Sequence, residues 1–271
     1  MKALFYILSI FFFFFVSAGF SQMNTHCLES KCDFQPGEQV FMFGNNVKLR
    51  SAPKIESEVL ELLKIGEWVE IIEKTEFSWP YKGYDSPFYK VKYDTVEGYI
   101  LGGLLSLERK TIAGNHYFFA FSKEGARDFL NIRHLILGKY SEQKIPLSHA
   151  YISIDLLGNQ GIYDLDDILY INYQANTLSA EKGGIYFFAQ DNALHRIGQL
   201  SQVSKSADFY QIEKFIFPKD EQGIPDTILY LKQSNRILDE SSEWVQNSVE
   251  TRKLRWMEGK LTPSFREKHP N

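Results

Sequence analysis

Asn46-Val47-Lys48-Leu49-Arg50-Ser51-Ala52-Pro53, and farther on Tyr89-Lys90-Val91-Lys92-Tyr93 with Gly98-Tyr99-Ile100, are the stretches that decide the fold. In the first, Val47 and Leu49 continue an alternation begun by Val40 and Met42, the two-residue period of a half-buried strand, until Ser51-Ala52-Pro53 breaks it. In the second, the lysines face water while Tyr89, Val91 and Tyr93 face inward. Val59 to Leu63 and Trp68 to Ile72 read as two more strands around the turn Ile65-Gly66-Glu67. Asp94 and Thr95 turn the chain into Gly98-Tyr99-Ile100, and Leu104-Leu105-Ser106 closes the series. Five short strands in succession suit a small closed barrel, which leaves no strand edge open.

These segments resemble, in order and spacing, the bacterial SH3 (SH3b) domain. Asn46 to Pro53 is similar to the family's V-N-V-R-S-x-P signature. Ser57-Glu58-Val59-Leu60, Leu63-Lys64-Ile65-Gly66-Glu67 and Val69-Glu70-Ile71-Ile72 match its next two strands and their glycine turn. Tyr89 to Tyr93 and Gly98 to Ile100 resemble its W-Y-K-V-x-Y…G-Y-V close. The resemblance spans about residues 40–107, roughly a quarter of the chain. Phe88 stands where the family usually has Trp, and Thr75 to Pro87 is longer than the family minimum. The resemblance implies an SH3-like barrel over 38–107. It also implies a binding role, because SH3b domains are commonly cell-wall or peptide binders.

The longer stretch holds Phe77, Trp79, Tyr81, Tyr84, Phe88 and Tyr89 between Pro80, Gly83 and Pro87. Read as a Pro/Gly-framed loop, it offers flat rings for a sugar or an extended peptide at low entropic cost. Trp79, Tyr81 and Tyr84 are the candidate ligand-binding residues, and Phe88 and Tyr89 are expected in the core. The competing expectation is that the loop folds over the barrel mouth or docks on the second domain.

Residues 1–21 read as a secretory signal peptide: Lys2, an apolar run from Leu4 to Val16, then small residues up to Ser21. The apolar run is too short to span a bilayer comfortably, and no later stretch approaches that length. A secreted or periplasmic protein of bacterial type follows. Residues 22–37 form an N-terminal segment with both cysteines, Cys27 and Cys32. In an oxidising compartment the pair can close a local disulfide; as near neighbours they can also stay reduced where backbone geometry forbids the bond.

The rest, 116–265, reads as a second, β-rich domain after a polar connection at 108–115. His116-Tyr117-Phe118-Phe119-Ala120-Phe121 parallels Ile185-Tyr186-Phe187-Phe188-Ala189-Gln190, and Gln160-Gly161-Ile162-Tyr163-Asp164 parallels Gln222-Gly223-Ile224-Pro225-Asp226. Each second element leads into an Ile-Leu-Tyr strand, so a tandem duplication of a four-strand unit is expected. The fold class is therefore mainly β: an SH3-like small barrel followed by a duplicated β-rich domain. Aromatic residues at 15% agree with this lean toward strands.

Net charge is −4 with no long basic run, which argues against nucleic acid. Acidic residues on the two Gln-Gly turns (Asp155, Asp164, Asp166 and Asp167 on one; Asp220, Glu221 and Asp226 on the other) faintly resemble calcium loops. Leu156, Leu157, Gln222 and Pro225 interrupt the alternation of oxygens that calcium needs, and turn chemistry explains the aspartates. No metal or cofactor is implied. The cysteines precede the barrel, the histidines lack ligand spacing, and neither a G-x-S-x-G elbow nor a phosphate-binding glycine loop occurs. The expectation is a non-enzymatic protein that binds peptidoglycan or an extracytoplasmic protein. The alternatives are a cell-wall hydrolase with its site in the second domain and a purely structural interaction module.

Overall fold

The computed structural model describes residues 24–174, 181–206, 209–239 and 244–266. The expected signal peptide lies outside them. Among the described residues no α-helix occurs, and no helix is long and apolar enough to cross a membrane.

The chain enters through β1 (Thr25–Cys27) and a short 3-10 turn at Ser30–Cys32, where Cys27 and Cys32 are disulfide-bonded. Next come β2 (Gln39–Phe41), β3 (Val47–Arg50), β4 (Val59–Leu63), β5 (Trp68–Tyr81), β6 (Tyr84–Tyr93) and β7 (Val96–Leu101), which form one sheet in the order β2-β5-β6-β7-β3-β4. Its curl encloses Val40, Met42, Val47, Leu49, Val69, Val91 and Ile100, the inward set that the alternation marks. Val40 lies on β2 and Val47 and Leu49 on β3, with Met42 bridging to Leu105 just past β2. Gly44 makes the bend between the two strands, where a Cβ would come within 2.4 Å of the Val47 side chain.

The main departure is the stretch from Thr75 to Pro87, which is hairpin and not loop. β5 continues to Tyr81 and β6 begins at Tyr84. Lys82 and Gly83, both at positive φ (48° and 86°), make the two-residue turn whose twist matches the flanking strands. The prolines fit because Pro80 lies on the outer strand and Pro87 faces a bulge between Lys74 and Ser78.

The connection at 108–115 is also ordered structure. β8 (Arg109–Ile112) turns through Ala113-Gly114 into β9 (Asn115–Glu124), and β10 (Arg127–Ile136) and β11 (Lys139–Pro146) complete a four-stranded sheet. Then follow β12 (Tyr151–Leu156), β13 (Asp167–Tyr173), β14 (Lys182–Gln190), β15 (Ala193–Ser206), β16 (Phe209–Ile216), β17 (Ile228–Asp239), β18 (Trp244–Met257) and β19 (Lys260–Thr262). Together with β1 they form a nine-stranded antiparallel sheet in sequence order. Its first half packs on the four-stranded sheet through Tyr117, Phe119, Ile132, Ile154, Ile171 and Phe187. Its second half curls around Phe188, Phe215, Ile228, Tyr230 and Leu254, and Phe265 covers that core from the C-terminal side.

The expected four-strand duplication is not reproduced. The first Tyr-Phe-Phe strand, β9, sits between β8 and β10 in the smaller sheet, whereas the second, β14, sits between β13 and β15 in the larger one. Similar short sequences here report similar burial, since both strands are covered on their two faces. What the parallel does bring together is its pair of turns: Lys219 donates its backbone N–H to the Gln160 carbonyl at 3.1 Å.

Candidate functional site

The β5–β6 hairpin runs out of the barrel, and its two ends meet different surroundings. Near the bulge, the Thr75 hydroxyl donates to the Phe88 carbonyl at 3.0 Å and accepts from the Phe77 N–H at 3.2 Å. Opposite, Ser78 Oγ donates to Asp85 Oδ2 at 2.7 Å. These bonds fix the part of β5 that has no strand on its outer side, because β2 pairs only with residues up to Glu70. Phe77 and Trp79 are therefore open to solvent, at 55% and 43% exposure. A depression of about 470 Å³ lies beside Phe77, bordered by Lys74, Ser78, Asp85 and Pro87.

At the tip the hairpin docks on the four-stranded sheet. Lys123 donates its backbone N–H to the Lys82 carbonyl at 2.8 Å. Lys82 Nζ lies 3.7 Å from Glu142 and 5.1 Å from the centre of the Phe43 ring. Arg133 joins the same cluster, donating to Glu142 at 2.8 Å and to the Phe43 carbonyl at 2.6 Å. Burial lowers the Lys82 pKa here, with Glu142 opposing the shift.

The three candidate ligand residues are thus divided. Trp79 is exposed. Tyr81 and Tyr84 are turned inward against Gly103, where an added Cβ would stand 2.6 Å from the Tyr81 ring and 2.8 Å from the Tyr84 hydroxyl. Burial pushes the Tyr84 phenol up to about 12 and raises Tyr81 as well. Between them and the barrel, Ser86 is fully buried and accepts the Gly103 N–H at 2.7 Å. Tyr81 and Tyr84 clasp the hairpin to the protein, and the rings left in solvent between Thr75 and Pro87 are Phe77 and Trp79. Phe77 carried the same sequence signal as Trp79, two residues away on an outer strand.

Phe88 and Tyr89 are core, each 2% exposed. The Tyr89 hydroxyl donates to Asp33 Oδ1 at 3.2 Å, and Lys74 Nζ lies 2.6 Å from Asp33 Oδ2. Burial, with the Asp33 charge beside it, raises the Tyr89 pKa. Residues 24–37 thus act as a strap: Asp33 and Phe34 hold the barrel, while β1 pairs with β12.

The acidic turn residues cap backbone. Asp167 Oδ1 accepts from Gly158 N–H at 2.8 Å and Asp220 Oδ2 from Phe217 N–H at 2.7 Å, so each satisfies a backbone donor upstream of it. Among the described residues no group of three or more His, Cys, Asp or Glu could hold a metal ion. The histidines are dispersed: His116 meets Thr111 at 3.0 Å, His134 stacks on Tyr117, His149 meets the Glu181 carbonyl at 3.2 Å, and His195 lies edge-on to Trp256.

Neither the curated proteins nor the solved structures give a match to this chain. Residues 45–106, which carry β3 to β7, match the family model described as the bacterial SH3 domain, so this part of the chain, and not its whole length, is assigned to that family.

Proposed function

We propose that the protein is an exported, non-catalytic binding protein whose bacterial SH3 domain contacts peptidoglycan through Phe77 and Trp79. The observation that carries this reading is the exposure of those two rings on an outer strand whose backbone is pinned by Thr75 and Ser78. Rigid aromatic faces contact a sugar or an extended peptide without losing much side-chain freedom. Export is supported by the sequence of residues 1–21 and is consistent with the Cys27–Cys32 disulfide.

The test is co-sedimentation of the mature protein with insoluble peptidoglycan, wild type against Phe77→Ala, Trp79→Ala. Binding that the double variant loses supports the reading. If wild type stays in the supernatant, or if both proteins sediment equally, the site is not a wall-binding site. Capture of an extracytoplasmic protein through the same two rings then becomes the reading to pursue.

A further inference from the structure

The two Gln-Gly-Ile turns singled out in the sequence converge on one cavity of about 570 Å³, in the second half of the nine-stranded sheet. Its floor is apolar: Ile162 from the first turn, Pro218 from the approach to the second, and Trp256 from β18. Trp256 is half-buried and held in orientation, its indole N–H donating to Gln190 at 2.8 Å and its ring lying edge-on to Phe188 at 5.1 Å. Around the rim stand Asp164 and Asp226, one from each turn, and Arg255. Both aspartates have positive φ, 59° and 55°, a conformation uncommon outside Gly, Asn and Asp. Among the described residues, the side chains of Asp164, Asp226 and Arg255 form no hydrogen bond or ion pair.

We infer that this cavity binds an uncharged saccharide of one to a few rings. Its volume lies within the range of small-molecule sites, roughly 300–1,000 Å³. A sugar presents a C–H face to an apolar floor and hydroxyls around its edge. Planar carboxylate and guanidinium groups with free hydrogen-bonding capacity suit those hydroxyls, which both donate and accept. The rim, including Glu258, sets three carboxylates against one guanidinium, an excess of negative charge that disfavours an anionic ligand. The site is separate from Phe77 and Trp79 and does not rest on the proposed wall-binding role.

The test is calorimetric titration of the mature protein with N-acetylglucosamine trimer, cellotriose and maltotriose, and with trigalacturonic acid as the anionic counterpart. Three variants are compared with wild type: Asp164→Asn, Asp226→Asn together, Arg255→Gln, and Trp79→Ala. The first keeps the turns, because Asn also tolerates positive φ, and the second changes an exposed side chain. At least one neutral trisaccharide should bind wild type and Trp79→Ala alike, and bind the Asp double variant and Arg255→Gln about tenfold more weakly. The inference is overturned if no neutral trisaccharide binds, if the rim variants bind as wild type does, if trigalacturonic acid binds more tightly, or if Trp79→Ala alone removes binding.

Discussion

Lys123 donates its backbone N–H to the Lys82 carbonyl at 2.8 Å, and that bond seats the tip of the barrel's longest hairpin on the four-stranded sheet. Contact is this close because Gly83 follows: a Cβ there would lie 1.9 Å from the Lys123 carbonyl oxygen. Gly83→Ala should therefore combine strain at φ 86° with loss of docking, and destabilise the protein by about 1–3 kcal/mol in denaturant unfolding. Gly125→Ala is the comparison, since Gly125 also has positive φ (58°) but nothing within 4 Å of its added Cβ. It should cost about 1 kcal/mol or less. Equal effects would mean that hairpin docking contributes nothing measurable.

Trp79 and Tyr84 should respond oppositely to truncation. Trp79→Ala removes an exposed ring and should leave stability within about 0.5 kcal/mol of wild type while reducing wall sedimentation. Tyr84→Ala empties the space beside Gly103 and should destabilise by about 2–4 kcal/mol, as truncation of a packed aromatic does. Thermal unfolding and sedimentation of the same two variants check both. Loss of stability in Trp79→Ala would place that ring in a packing role.

The barrel was legible because its information is local: alternation in Val47 to Arg50 and Tyr89 to Tyr93, and a glycine turn at Gly66, each set one strand and its inner face. The burial of Tyr89 followed from the same period, whereas Phe88, its neighbour on the opposite face, is buried outside that alternation. The inward turn of Tyr81 and Tyr84 was not legible, because it depends on Gly103 and on docking of the tip at Lys123, and nothing local encodes those partners. Pro80 and Pro87 also argued for a loop. The outer position of one and the bulge opposite the other removed their usual cost, and both are properties of the assembled sheet. The Tyr-Phe-Phe parallel misled for a related reason, since a doubly covered strand has one apolar signature whichever sheet it joins.

The Cys27–Cys32 bond closes a loop with a sequence separation of 5, at the point where the strap leaves β1 for the barrel. Loop-closure entropy for so short a ring is small, about 2 kcal/mol at most. Reduction should therefore leave the global unfolding transition in place and act locally. Amide exchange at the β1–β12 pairs, His26 opposite Ile152 and Cys27 opposite Tyr151, should accelerate on reduction or in Cys27→Ser, Cys32→Ser. Exchange in the β6–β7 pairs of the barrel should not change. Equal acceleration throughout would show that the strap is part of the global folding unit.

His134 supplies a pH dependence with a definite sign. Its ring stacks on Tyr117 at 4.2 Å, with 9° between the planes, and its buried Nε2 has no hydrogen-bond partner among the described residues. Burial lowers its pKa from the ordinary 6.5, because the imidazolium loses water without gaining an acceptor. Above 6.5 both folded and unfolded chains hold a neutral ring, and His134 contributes no pH dependence. Between 6.5 and the lower folded value the unfolded chain binds more protons, so stability falls as pH falls through that window. Below the folded value the two states are protonated alike, and this contribution levels off. Replacing His134 with Phe preserves a ring against Tyr117 and removes the titration. The denaturant midpoint of wild type should therefore drop more steeply from pH 7.5 to pH 5 than that of His134→Phe, and parallel pH profiles would show that His134 does not carry the dependence.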